Sequence, residues 1–378
     1  MTGGTTILML LVRVSWLAAA KYGTFLLSGS NLEWPSVAEE SSDILYGRYE
    51  PRKILVHGFQ MDDKRAYVAM PRFTKSGVPW SLGVFRLDVF DFEPDIRPYP
   101  DYGNYGSCDG GRTCIVNVVD VYIETGVLWA LDTGTTNVLW KPLRLGPAQL
   151  IAVNLTTDAV VATDLSAVTW PDSVLEHVVA ARTSCGRLHV YVSDVARHKI
   201  IVYDADARKL HTIQLPETIP VDSHRRAVLY LAPVTVAGRA YVYFTYRHSG
   251  YMFALDAWSQ ESVVHGAVSE VGVKPVGMLV LGSDRGTNVY FRTAGGGTDV
   301  WAWDVNRPLE VRSFVLVHRS YLYLTPTAVV AGWRNAVWTV ESNYDEYTAG
   351  NVDCTGPRTL LRPLNGGAAD DCNEIVLQ

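Results

Sequence analysis

Few residues in this chain have types and spacing that could do chemistry, and most are explained more simply by structure. Leu131-Asp132-Thr133-Gly134-Thr135 matches the aspartic-protease signature, in which two such aspartates share a proton and activate water. A single-chain enzyme of that kind needs a second D-[TS]-G, and none is present, so Asp132 is expected to end a strand and bond the following turn. Asp88, Asp91, Glu93 and Asp95 lack the D-x-D-x-D-G spacing of a calcium loop and read as a solvated acidic turn. The five cysteines form no C-x-x-C pair and there is no H-x-x-x-H, which argues against zinc. No G-x-S-x-G elbow or Walker loop occurs, and the nine histidines are scattered singly. No catalytic residue, metal or cofactor is therefore expected.

The elements that must position any site are strands. Apolar periodicity of 3.6 is almost absent, while short runs rich in Val, Tyr, Trp and Leu alternate with Gly, Pro, Asp and Asn punctuation. One module recurs six times, beginning at Val56, Val119, Val179, Pro233, Leu279 and Val329, each copy leading through a polar turn into an aromatic-centred strand. The central aromatics are Tyr67, Trp129, Tyr191, Tyr241, Tyr290 and Trp338, spaced 62, 62, 50, 49 and 48 residues apart. A four-stranded propeller blade takes about 40–50 residues, so the spacing predicts an all-β, six-bladed β-propeller rather than a sandwich, which has no reason to repeat one module at so long a period.

Repeat-equivalent positions lie at one height around such a ring. The polar residues ending the aromatic strands should then gather at one mouth of the channel. They include Arg72, Asp132, Asp194, Arg247, Arg292, Glu341 and Asn343. Acidic groups beside Tyr246, Trp303 and Tyr344 could hold an aromatic cation there, or the same residues could only bond turns and pair with one another.

Composition narrows the class further. Apolar residues make up 48% of the chain and charged ones 19%, far from a disordered composition, and a net charge of −6 without a basic run argues against nucleic-acid partners. Residues 1–20 carry an apolar stretch ending Ala18-Ala19-Ala20, which predicts a signal peptide and a mature start near Lys21, despite Arg13. No later segment approaches a membrane span. Residues 21–349 are assigned to the propeller, with 30–52 the candidate for its closing strand, and 350–378 to a Gly- and Pro-broken tail. An exported chain should oxidise most of Cys108, Cys114, Cys185, Cys354 and Cys372, with one left over; Cys354–Cys372 is the expected bridge and the other connectivity stays open. Asn154-Leu155-Thr156 is the one glycosylation sequon.

Two segments are more specific than a repeat count. Tyr67-Val68-Ala69-Met70-Pro71-Arg72-Phe73 with Ser76-Gly77-Val78-Pro79-Trp80-Ser81-Leu82, and Leu128-Trp129-Ala130-Leu131-Asp132-Thr133-Gly134, resemble motifs of the Yellow and major royal jelly protein family. Weaker matches run from Val190 to Asp194, through Ile201-Val202-Tyr203-Asp204 and Val300 to Asp304, to Ala336–Asn343, so the resemblance spans residues 32 to 345. The chain departs from the family where Glu124-Thr125-Gly126 replaces a usual cysteine and where Leu210-His211 replaces a usual Trp-Arg. The resemblance implies a secreted propeller that binds small aromatic amines or catechol-derived ligands at one mouth without catalysis. It leaves open a dopachrome-converting tautomerase of pigmentation, and a structural or storage protein whose mouth is plugged by the loop Phe92–Thr113. It carries Asn343 over as a ligand contact, and Thr327 less securely, beside Asp132, Asp194, Arg72 and Arg292 at the mouth.

Overall fold

Short apolar runs bounded by turn residues pair with their neighbours as antiparallel strands, because a hairpin satisfies their backbone groups at little entropic cost. In the computed structural model the described residues are 23–89, 91–106, 113–216, 228–259, 268–275, 277–295, 297–320, 322–352 and 356–364. The chain is nearly all-β. Strand β1 (Phe25–Leu27) is followed by helix α1 (Val37–Leu45) and a first sheet of β2–β5 (Gly58–Met61, Arg65–Ala69, Leu82–Arg86, Arg97–Pro98). The second sheet joins β6 (Val118–Glu124) and β7 (Val127–Asp132), then, beyond a small ribbon β8–β9 (Thr135–Thr136, Leu143–Arg144), β10 (Gln149–Asn154) and β11 (Val160–Asp164).

A third sheet holds β12–β15 (Leu175–Arg182, Leu188–Asp194, Lys199–Asp204, Lys209–Gln214), and a fourth holds β16–β19 (Leu229–Val236, Arg239–Tyr246, Tyr251–Asp256, Val268–Val273). The remaining strands form one eight-stranded sheet with two antiparallel halves. One half is β20–β23 (Met278–Ser283, Asn288–Thr293, Asp299–Asp304, Phe314–Arg319). The other is β24–β26 (Thr325–Ala331, Val337–Ser342, Thr359–Pro363) completed by β1. A short parallel pairing of Gly282 and Ser283 with Val329 and Val330 connects the halves. Gly282 sits there at φ +137°, and a Cβ would lie 2.1 Å from the Val329 carbonyl oxygen, so the close approach requires glycine.

The first strands of the six four-stranded units touch in a cycle: β2 meets β6, β6 meets β12, β12 meets β16, β16 meets β20, β20 meets β24 and β24 returns to β2. The six aromatic-centred modules are all second strands of these units, from Arg65–Ala69 to Val337–Ser342. Burial follows position: β13 is buried throughout and β7 and β25 nearly so, whereas the outermost β11 and β19 have no buried residue. Among the described residues no helix is long and apolar enough to cross a membrane.

Two boundaries differ from expectation. Residues 30–52 supply no closing strand. Ser36, whose Oγ accepts from the backbone N–H of Glu39 (3.3 Å), instead caps α1, a capping box readable as S-x-x-E. The chain closes through β1, paired with β26 at Phe25↔Leu361, Leu26↔Leu360 and Leu27↔Thr359. Residues 359–363, assigned above to the tail, therefore lie inside the sheet, because Leu360 and Leu361 are apolar enough to be buried between the Gly and Pro breaks that flank them. The signal-peptide residues 1–20 lie outside the described residues.

Phe25 anchors this closure, 1% exposed and packed on the rings of Phe85, Trp333 and Trp338. Replacing it with alanine leaves a cavity beside the β1–β26 pairing, and Phe25→Ala should destabilise the fold by about 3–5 kcal/mol. Urea unfolding followed by tryptophan fluorescence checks this; a loss under 1 kcal/mol would mean that the end-to-end pairing contributes little.

Candidate functional site

The starts of the first strands converge on a cavity of about 950 Å³. His57, just before β2, Val119 of β6, Glu176 and His177 of β12, Tyr230 of β16, Leu279 of β20 and Thr327 of β24 bring all six units to its lining. Most of these residues, with their successors along the same strands, also line a second, narrower cavity of about 80 Å³, so the two adjoin.

Aromatic rings supply much of the wall. His57 lies 5.0 Å from Tyr344 at 32°, and Phe73 meets His57 edge-on at 5.8 Å. On the third and fourth units His177 and Tyr230 lie 5.4 Å apart at 36°. His177 Nδ1 is 3.4 Å from Asp120 Oδ2, and that carboxylate is held by the backbone N–H groups of Val178 and Val121, each at 2.9 Å. Burial favours the neutral imidazole, yet the hydrogen bond and charge of Asp120, with Glu176 beside it, raise the His177 pKa above the ordinary histidine value. Burial also pushes the Tyr230 hydroxyl up to about 12, against the opposing pull of Arg247 and Arg292.

Charges of both signs reach the cavity. Glu176 and Asp345 line it, and Asp345 Oδ2 accepts from Thr325 Oγ1 at 3.3 Å. Arg292, 6% exposed, and the half-buried Arg247 line it from the fifth and fourth units. A ligand with an aromatic ring and one or two charges matches this lining.

Of the strand-ending residues expected at the mouth, Arg247 lines the cavity, whereas Glu341 is fully buried against His318 and does not line it; the six expected as ligand contacts divide into two groups. Arg292 and Thr327 line the cavity, and Thr327 Oγ1 also donates to the His57 carbonyl (3.3 Å). Arg72, Asp132, Asp194 and Asn343 are not among the lining residues; each sits behind it, holding a loop that carries a lining residue. Asp132 is fully buried and accepts from the N–H groups of Val116, Asn117 and Gly134 and from Gln149 Nε2, next to lining Thr133. Asp194 accepts from Ser173 Oγ and Val174 N–H, both on lining residues. Arg72 donates to the carbonyls of Val78 and Pro79, between lining Pro71 and Phe73. Asn343 accepts from Arg358 N–H (2.9 Å) and donates to the Gly356 carbonyl (3.3 Å), beside lining Tyr344 and Asp345.

His57, Glu176, His177 and Tyr230 were not singled out from sequence. Three of them lie among the first three residues of first strands, so aligning the modules on those strands, rather than on the aromatic ones, would have found them. No described residue of the loop 92–113 lines the cavity. Asn154 is exposed at the β10–β11 hairpin, where its Oδ1 accepts from the N–H groups of Thr156 and Thr157. Cys114 is disulfide-bonded and Cys185 is an exposed thiol, while Cys108, Cys354 and Cys372 lie outside the described residues.

Comparisons with known proteins identify a family. The model of the major royal jelly protein family matches residues 116–359. A dopaminechrome tautomerase of Drosophila melanogaster is 28% identical over 191 residues, 48% of this chain and 39% of that protein. Protein yellow of the same species is 25% identical over 272 residues, 66% of this chain and 50% of that protein. The chain thus spans about half the length of the curated relatives it matches. A solved luciferin-regenerating enzyme aligns with a TM-score of 0.49 at 9% identity, covering 85% of this chain and 93% of its own. With the family match spanning more than half of its residues, this chain belongs to the Yellow and major royal jelly protein family.

Proposed function

We propose that this chain is a secreted six-bladed β-propeller that binds a small aromatic amine or catechol-derived ligand in the mouth cavity. Six four-stranded units whose first strands touch in a cycle support the propeller reading. The Ala18-Ala19-Ala20 segment and the family support export, for which Asn154 is the expected glycosylation site. One observation carries the ligand: aromatic rings and charges of both signs share a concave lining of about 950 Å³. Aromatic faces attract cations and planar rings, and a carboxylate such as Glu176 fixes the orientation of an ammonium group. Arg292 and Thr327 contact the ligand in this reading. Asp132, Asp194, Arg72 and Asn343 act through the loops that they hold.

A second reading is favoured by the His177–Asp120 pair. Tautomerisation moves a proton without changing the atom count, and a dopaminechrome tautomerase is among the relatives. A cavity-lining imidazole oriented by a backbone-held carboxylate has the geometry of a general base or acid, a role that no residue claimed in the sequence.

Three outcomes are expected. Calorimetric titration with serotonin, dopamine, octopamine and histamine should give saturable one-site heats for at least one compound, and flat isotherms for all four would remove the ligand reading. Asn343→Ala removes the bonds to the Arg358 N–H and the Gly356 carbonyl and should cost about 1–3 kcal/mol of stability, so a melting curve matching wild type would contradict the loop-holding role. If the chain converts dopaminechrome, His177→Gln should lower kcat by about 10²–10⁴-fold in a decay assay, and undiminished turnover would sink the proton-transfer role.

A further inference from the structure

The fourth and fifth units bring two guanidinium groups to the same cavity. Arg247 follows β17 directly and Arg292 lies within β21, one on each of two neighbouring units. Arg292 is only 6% exposed, and its guanidinium donates to the Thr293 carbonyl at 3.3 Å. The Nε of Arg247 is buried and has no hydrogen-bond partner among the described residues. Neither arginine forms an ion pair among those residues. Burial lowers the pKa of Arg292; Asp345 and Tyr230 act against that, and the like charge of Arg247 adds to it.

A guanidinium carries five N–H donors in a fixed fork, and burying it with most of them unmatched costs free energy. Two such groups at one wall also repel each other. A planar anion relieves both costs, because a carboxylate accepts paired N–H···O bonds from a guanidinium. Glu176 belongs to the third unit and Asp345 to the sixth, one on either side of the arginines; Asp345 offsets part of the charge of Arg292 but already accepts from Thr325.

We infer that the ligand of this cavity carries a carboxylate and that Arg247 and Arg292 receive it. This rests on the small-ligand reading of the same cavity and narrows it. The favoured class is an aromatic amino acid or a catechol-derived carboxylate, rather than the amine left after decarboxylation. In such a ligand the ring faces His57 and Tyr344 and the ammonium group faces Glu176 or Asp345.

Titration calorimetry with matched pairs tests it: DOPA against dopamine, and 5-hydroxytryptophan against serotonin. The wild-type chain should bind the acid of at least one pair about tenfold more tightly than its amine, the value of one charge-assisted hydrogen bond. Arg247→Gln should bring that ratio close to one, and so should Arg292→Met. Arg247 is half-exposed, so Arg247→Gln decides the question alone if the buried Arg292→Met fails to melt cooperatively. Amine binding as tight as acid binding in the wild type would overturn the inference and leave the small-ligand reading standing, as would an acid preference that survives in Arg247→Gln. Absence of heat with all four compounds would overturn both.

Discussion

Everything at the site depends on a pairing between the two ends of the described chain. Phe25–Leu27 lies antiparallel to Thr359–Pro363, so the last four-stranded unit is complete only when residues more than 330 positions apart meet. That unit also touches the first unit and, through the Gly282–Val329 approach, the fifth. Loss of the pairing would free one unit on both sides. Such long-range closure carries a large loop entropy, which the dense aromatic packing of Phe25, Phe85, Trp333 and Trp338 offsets.

The cavity inherits its character from this arrangement, since each unit contributes only one or a few side chains. Its shape is set by loops, and buried polar groups hold the loops. Asp132 has four donors on its two oxygens, which satisfies a fully buried carboxylate without a cation. Asp194 is tied to Ser173 and Val174 and lies 3.7 Å from Lys199. These residues shape the site without lining it. A D-T-G segment serves here as a turn anchor.

Charges of both signs stand at fixed places around the cavity. Arg247 and Arg292 come from two adjacent units and Glu176 and Asp345 from the units flanking them, with Arg144 and Asp172 also on the lining, so selectivity follows from where charges sit and not from their sum. Rings on the first, third, fourth and sixth units complete the lining, and His177 stands where aromatic wall and buried carboxylate meet.

The fold was legible in the sequence to the extent that it repeats. Strand alternation and the aromatic modules are local properties, and all six modules are second strands, where burial on both faces favours large rings and β-branched residues. Ser36–Glu39 likewise declares its helix start through local chemistry. The closing strand was not legible, because three residues, Phe25–Leu27, have no periodicity to detect and gain their identity only by meeting Leu360 and Leu361. The site was half legible. Strand-ending polar residues could be aligned by repeat, and Arg292 and Thr327 do line the cavity, but whether such a residue faces the cavity or turns back to bond its own loop depends on neighbours distant in sequence. Asn343 meets Arg358, Arg72 meets Val78 and Pro79, and His177 meets Asp120 across two sheets. The amino-acid order by itself determined the strands, the modules and the family; only the tertiary structure decided which polar groups face the cavity, because a side chain's free hydrogen-bonding capacity is what remains after its spatial neighbours have taken their share.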